Sequence, residues 1–155
     1  MISIIDAVNS CVNARILAQA VLAEHFFGKQ VVYPINPFQM LTDGGVPFVF
    51  RAFNDKSIEG MYLSAQGSDD TPVVGINIKR PITRQRFTAA HELCHHIKDC
   101  KNSCVCNENP SSDIEKYAEK FAAELLMPYT EMKRQISLHE VNGNITFDGV
   151  LDFFA

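Results

Sequence analysis

The chain has 155 residues, 46% of them hydrophobic, and a formal net charge of −4 at pH 7. This length and composition suffice for one core, so we expect a single domain over residues 1–155. The negative charge, without a basic cluster, argues against direct binding of nucleic acid. Neither a bilayer-spanning apolar run nor a basic signal region is present, so we expect a cytoplasmic protein without membrane contact, whose five cysteines are reduced.

The N-terminal half combines one long helical pattern with short apolar runs. Residues 4–27 place apolar side chains at helical spacing and Gly28 follows them, which predicts an amphipathic helix that covers a sheet. The segment around Met40 and Leu41 predicts a loop or a short helix. Turn residues separate four β-branched or aromatic runs, which predict three or four strands of an antiparallel sheet in an α+β fold: residues 31–35, 46–52, 58–64 and 73–78.

The segment 91–95, His-Glu-Leu-Cys-His, places candidate metal ligands in a helical pattern that Thr83 is positioned to cap. His91 and His95 are four residues apart, so they share one helix face and reach one ion, with Glu92 beside them as a candidate general base. A zinc ion held by two histidines and a carboxylate keeps a position open for water and lowers its pKa to about 7. The alternative is two surface histidines on an ordinary amphipathic helix.

The next helical pattern carries the candidates for a third ligand. Its apolar stripe ends at Pro128 and predicts a second buried helix. Glu115 and Glu119 are four residues apart and share a flank of that stripe, whereas Glu124 faces another side. Ser112 and Glu115 also match a capping box, in which the glutamate turns back to the backbone of Ser112. Spacing alone therefore leaves both Glu115 and Glu119 open.

Two sequence blocks frame these candidates. Residues 86–95 read Arg-Phe-Thr-Ala-Ala-His-Glu-Leu-Cys-His, residues 121–128 read Phe-Ala-Ala-Glu-Leu-Leu-Met-Pro, and Glu115 lies between them. In order and spacing the blocks resemble the ImmA/IrrE family of zinc-dependent metallopeptidases. The resemblance implies a zincin-like α+β domain in which two helices hold one Zn²⁺ ion.

Carried over position by position, the resemblance implies that His91, His95 and Glu115 bind the zinc ion and that Glu92 is the general base. Glu119 stands where relatives often carry asparagine, which leaves a second carboxylate near the metal. Whether Glu119 shares or replaces the role of Glu115 stays open at this point.

The resemblance also implies a function. It points to a regulatory endopeptidase that uses metal-activated water to cleave a helix-turn-helix repressor of a prophage or mobile element. The alternative is a catalytically weak or inactive metal-stabilised domain that binds a transcriptional regulator, or acts as an anti-repressor or toxin component. The sequence does not define the cleavage site, the activation trigger or the oligomeric state.

Four cysteines lie in or after the motif. Cys94 stands where relatives carry a small residue, and its helical direction predicts a buried, hydrophobic role. Cys100, Cys104 and Cys106 lie in a polar loop, and with His96 they offer four ligands for a structural zinc ion. Their spacing is unlike that of ordinary zinc knuckles, so we expect exposed and unreactive thiols instead.

Two features bear on a peptide substrate. Residues 73–78 directly precede the motif helix, and an exposed strand edge there would bind a peptide by strand addition, whereas an interior strand would not. An additional hydrogen-bond donor for the oxyanion is available from several side chains, which the sequence does not rank. They are Tyr117, Tyr129, His96 and His139.

The pattern after Pro128 is poorly defined. Residues 130–136 predict a short helix, which Gly143 interrupts, and an apolar stretch follows over residues 145–154. The chain ends on Phe-Phe-Ala at Ala155 without a polar tail. We therefore expect that the native protein continues, or that this surface meets a partner.

Overall fold

The computed structural model of the chain describes residues 13–99, 101–108 and 112–146. The start of the predicted N-terminal helix and the apolar stretch after residue 146 lie outside these ranges. The described part contains five helices and six strands: α1 (Ala14–His25), α2 (Pro37–Asp43), β1 (Phe48–Arg51), β2 (Ile58–Leu63), β3 (Val73–Asn77), α3 (Ile82–Asp99), β4 (Cys104–Asn107), α4 (Asp113–Leu126), α5 (Tyr129–His139), β5 (Glu140–Val141) and β6 (Asn144–Ile145). Among these helices, none combines the length and the apolar character needed to cross a bilayer.

The predicted α+β class is confirmed, with a mixed sheet in place of an antiparallel one. Its four strands lie in the order β1-β3-β2-β4. β2 pairs antiparallel with both of its neighbours, whereas β1 pairs parallel with β3, so that Phe48 lies opposite Val74. Of the two interpretations of residues 73–78, the interior strand is therefore correct, and the edges of the sheet are β1 and β4.

Two segments differ from the predicted strands. Residues 31–35 form no strand, because Pro34 has no backbone N–H to donate to a ladder, and Ile35 is buried as a loop residue. Conversely, Cys104–Asn107 forms strand β4 where the sequence predicts a polar loop. Four residues between polar neighbours give a weak periodic signal, so the sequence does not reveal this strand.

Three helices stack in layers outward from the sheet. α3 contacts β2 and β3 directly, α4 packs on α3, and α1 packs on α4. The described part of the N-terminal helix that was predicted to cover the sheet, α1, packs on α4 instead, and α3 lies directly on the sheet. Consecutive residues 88–95 of α3 are all buried, as expected of a helix with neighbours on every side, whereas α1 buries one stripe.

Short polar side chains define the beginnings of three helices. Asn13 caps α1 by accepting a hydrogen bond from a backbone N–H of its first turn, and Asn36 and Ser112 do the same for α2 and α4. α3 begins at Ile82, so Thr83 lies inside its first turn and does not have the predicted capping position.

A buried carboxylate joins the start of α3 to the sheet. Glu59 on β2 is 2% exposed. It accepts from Nε of Arg84 at 3.1 Å and pairs with Nη2 of Arg80 at 2.7 Å. Arg80 and Arg84 both reach the Glu59 carboxylate when the start of α3 lies over β2. The two ion pairs therefore position α3 on the sheet ahead of the histidine motif.

The segment after Pro128 is more regular than the sequence suggests. α5 extends over Tyr129–His139, beyond the predicted 130–136. Gly143 lies in the turn between β5 and β6, where Asn142 and Gly143 have φ angles of 53° and 80°. Positive φ at both residues is typical of the Asn-Gly type I′ turn, so Gly143 forms a hairpin here and does not interrupt the helix.

Candidate metal centre

Three of the predicted site side chains converge between α3 and α4. Nε2 of His91 lies 3.1 Å from Oε2 of Glu115, and Nε2 of His95 lies 3.2 Å from Oε1 of the same carboxylate. The two Nε2 atoms lie 3.1 Å apart. Both histidines are buried, while the Glu115 side chain keeps 16% of its surface exposed. The three side chains thus form one cluster, and Glu115 is its solvent-accessible member.

The N-terminus of α4 explains how Glu115 reaches the histidines. The hydroxyl of Ser112 accepts a hydrogen bond of 3.2 Å from the backbone N–H of Glu115. Only this half of the predicted capping box forms, because the Glu115 carboxylate contacts the two imidazoles instead. The cap therefore fixes the first turn of α4 and leaves the carboxylate free to face α3.

Glu119 does not join this cluster. Among the described residues, the groups of closely spaced ligand atoms contain Glu115 and not Glu119. Four residues advance an α-helix by about 6 Å, so the two carboxylates on α4 occupy different heights. Of the two carboxylates that spacing leaves open, the geometry favours Glu115.

The contacts within the cluster cannot all be hydrogen bonds. Each imidazole has at most one proton on Nε2. If both Nε2 atoms donate to Glu115, the 3.1 Å contact between them joins two donors and is no hydrogen bond; if one donates to the other, a lone pair faces the carboxylate. A cation that accepts all three lone pairs removes this conflict. Ligands around a tetrahedral zinc ion are about 3.3–3.4 Å apart, so these residues fit an ion of this kind.

Neighbouring groups tune the candidate ligands. Burial raises the pKa of the Glu115 carboxyl, but the hydrogen bonds and charges of His91 and His95 outweigh this effect and hold the pKa at about 2. Nδ1 of His95 lies 3.4 Å from a carboxylate oxygen of Asp99. A proton on Nδ1 directed at Asp99 leaves the Nε2 lone pair available to a metal, which is the usual arrangement behind a metal-binding histidine.

Glu92 is the buried acid of the site. It is fully buried, and both carboxyl oxygens are without a hydrogen-bond partner in the described part of the protein. Burial, and then the negative charge of Glu115, raise the pKa of Glu92 well above its ordinary value. A carboxylate whose pKa is raised is a stronger base than an ordinary glutamate, which suits a group that accepts a proton and passes it on.

The other donors proposed for the oxyanion have contacts of their own. The Tyr62 hydroxyl lies 3.1 Å from Nδ1 of His96. The Tyr117 ring lies under the Lys98 ammonium group, and the Tyr129 ring lies under the Arg15 guanidinium group. Nδ1 of His139 lies 2.8 Å from the carbonyl oxygen of Gln135. None of these contacts singles out a donor for the oxyanion.

The sequence predicts the burial of one cysteine near the site and not that of another. Cys94 is buried in the core, as predicted. Cys106 is also buried, contrary to the expected exposed thiol, because it lies on the inward face of β4. Its sulfur belongs to a second close group with His91 and Glu92. Sequence reasoning missed this contact because the strand that produces it was not recognised.

The sequence offers, without favouring it, a structural zinc site at His96, Cys100, Cys104 and Cys106. Within residues 13–99, 101–108 and 112–146, no group of potential ligand atoms joins His96 to Cys104 and Cys106. The ring of His96 contacts Tyr62 instead. Cys100 lies outside the described residues.

Comparison with known protein families adds one finding. A family model described as the IrrE N-terminal-like domain, from a peptidase family, matches residues 42–141. The match spans 100 of the 155 residues and includes the sheet, α3 and α4. No curated protein matches the chain at a significant level.

Proposed function

The chain belongs to the ImmA/IrrE family, and on this premise we propose that it is a zinc-dependent endopeptidase. The observation that carries the proposal is the cluster of His91, His95 and Glu115, whose ligand atoms lie 3.1–3.2 Å from one another. Glu92 supports it, because a buried and unpartnered carboxyl beside that cluster has an evident use in proton transfer.

In this proposal His91, His95 and Glu115 hold the ion, and Asp99 keeps His95 in the tautomer that binds it. A zinc ion bound there supplies a Lewis acid that polarises the peptide carbonyl and lowers the pKa of water. Glu92 accepts a proton from the attacking water molecule as its oxygen adds to the peptide carbon. The same carboxyl then gives that proton to the leaving amine as the C–N bond breaks, so the base is regenerated.

Strand β4 is the proposed binding edge for the peptide. It ends the sheet on the side opposite β1, and its residue Cys106 belongs to a close group with His91 and Glu92. Val105 on the same strand is 48% exposed. A peptide that adds to β4 as a further strand gains main-chain hydrogen bonds and passes beside the candidate metal centre. The proposed edge is thus β4, in place of β3.

The proposed substrate is a helix-turn-helix repressor of a prophage or mobile element, and the proposed place of cleavage is the cytoplasm. This part of the proposal rests on the family alone. The test is incubation of the zinc-loaded protein with the repressor encoded nearest to its gene, and with a proteome-derived peptide library that does not depend on that choice. Mass spectrometry identifies the fragments.

The matched controls are a chelator and the Glu92→Gln variant, which keeps the shape of the side chain and removes its basicity. Zinc-dependent fragments that vanish with Glu92→Gln support the endopeptidase. An intact complex with the repressor, together with no cleavage in the peptide library, contradicts it and favours a binding domain.

A further inference from the structure

A second group of potential ligands lies on the sheet side of the candidate metal centre. A ring nitrogen of His91, a carboxyl oxygen of Glu92 and the sulfur of Cys106 all lie within 4.8 Å of one another. His91 and Glu92 come from α3 and Cys106 comes from β4. The group shares His91 with the His91, His95 and Glu115 cluster and adds Glu92 and Cys106.

Three polar atoms of the His91 and Glu92 side chains lack partners. Nδ1 of His91 and both carboxyl oxygens of Glu92 are buried and form no hydrogen bond within the described residues. His91 is 1% exposed, Glu92 is 0% exposed and Cys106 is 5% exposed. Buried polar atoms without partners are uncommon in proteins, and each calls for an explanation such as an ion that is bound there.

We propose that Cys106, Glu92 and a ring nitrogen of His91 form a second cation site, which binds a thiophilic divalent ion of the zinc, cobalt or cadmium type. Thiolate, imidazole and carboxylate together are the ligand set that zinc-like ions prefer. Around a tetrahedral ion such ligands are about 3.3–3.6 Å apart, so the three groups need to close by at most about 1.5 Å.

Binding at this site includes a proton balance. Burial raises the pKa of the Cys106 thiol, so without a cation the sulfur keeps its proton. When the cation binds, the sulfur–metal bond forms and the thiol proton is released to the buffer. The consequence for catalysis rests on the proposed function: an ion that occupies the carboxylate of Glu92 prevents it from taking a proton, and an excess of a thiophilic cation inhibits the enzyme.

Cobalt(II) binding to the metal-free protein tests the site without any assay of activity. Nitrogen and oxygen ligands give cobalt weak visible bands, whereas a thiolate ligand adds an intense charge-transfer band in the near ultraviolet. We expect this band in the wild-type protein and in Cys104→Ser, which removes the other described cysteine of β4. We expect the band to be lost in Cys106→Ser. In Glu92→Gln we expect the band to need a higher cobalt concentration to reach half of its full intensity.

Three outcomes overturn the proposal. In the first, the wild-type protein shows the weak cobalt bands but no charge-transfer band. In the second, Cys106→Ser keeps the charge-transfer band unchanged. In the third, Cys104→Ser and Cys106→Ser lose the band equally. If Cys106→Ser does not fold, X-ray absorption of the wild-type protein with excess zinc decides, because a Zn–S distance of about 2.3 Å is required. Glu115→Gln in the cobalt experiment separates the two sites, since it weakens the first cluster and should leave the band in place.

Discussion

Gly60 of β2 lies directly against Glu92 of α3. A Cβ atom at position 60 would lie 2.9 Å from Oε1 of Glu92 and 2.5 Å from Cγ2 of Thr88. The missing side chain lets the motif helix approach the sheet closely enough to bury Glu92. The place of the candidate base is therefore determined by a residue on another element.

Gly60→Ala should destabilise the fold and displace Glu92. The new methyl group would also meet the backbone oxygen of Gly75 at 2.9 Å, and overpacking of this kind costs about 1–3 kcal/mol of unfolding free energy. Urea denaturation measures the loss. Gly67→Ala is the matched control, because a Cβ atom there meets nothing within 4 Å. Equal stability of the two variants would contradict the close packing.

Ser112→Ala should affect both folding and metal binding. Loss of the cap costs about 1 kcal/mol of stability, and it releases the turn that holds the Glu115 carboxylate against the histidines. Calorimetric titration should show weaker zinc binding. Asn13→Ala removes the equivalent cap of α1, which accepts from Ile16 at 3.0 Å. That variant should lose similar stability and keep its zinc affinity; a parallel loss of zinc affinity would argue against a specific role of Ser112.

Asp99→Ala should weaken zinc binding without changing the fold. Asp99 faces Nδ1 of His95 at 3.4 Å, and loss of such a partner behind a metal ligand typically costs about 10–100-fold in affinity. Competition with a chromophoric chelator measures the change. Asp113→Ala, at the first turn of α4, provides an acidic control outside the cluster. Unchanged affinity in Asp99→Ala would show that Asp99 does not orient His95.

Glu92→Gln should separate metal binding from turnover. The amide cannot accept the proton, and loss of a general base lowers the rate by about 10²–10⁴-fold. With no more than one equivalent of zinc supplied, the zinc bound at the His91, His95 and Glu115 cluster should stay at the wild-type level, because Glu92 does not belong to that cluster. Metal analysis and peptide hydrolysis on the same preparation provide the two readouts. Full hydrolysis by this variant would exclude Glu92 as the base.

The helical part of the site was predictable from sequence because it depends on local periodicity. Residues four apart share a face in any α-helix, so the pairing of His91 with His95 needed no tertiary information. The choice of Glu115 over Glu119 needed more. It depends on how α4 packs on α3 and on which half of the Ser112 capping box forms, and spacing encodes neither.

The sheet was less predictable because strand order is a tertiary property. Nothing in the sequence of β3 shows that β1 joins it in parallel and removes its free edge. Strand β4 is short and lies between polar residues, so the sequence predicts an exposed loop at Cys106. The same missed strand carries both the proposed peptide edge and the proposed thiolate site.

Zinc affinity in Glu115→Gln compared with Glu119→Gln, measured by calorimetry on correctly folded protein, tests the candidate metal centre most directly. We expect Glu115→Gln to lose tight zinc binding and Glu119→Gln to retain it, because of these two carboxylates the first lies against both imidazoles. Wild-type zinc affinity in Glu115→Gln, or its loss in Glu119→Gln alone, would contradict the assignment of the metal centre.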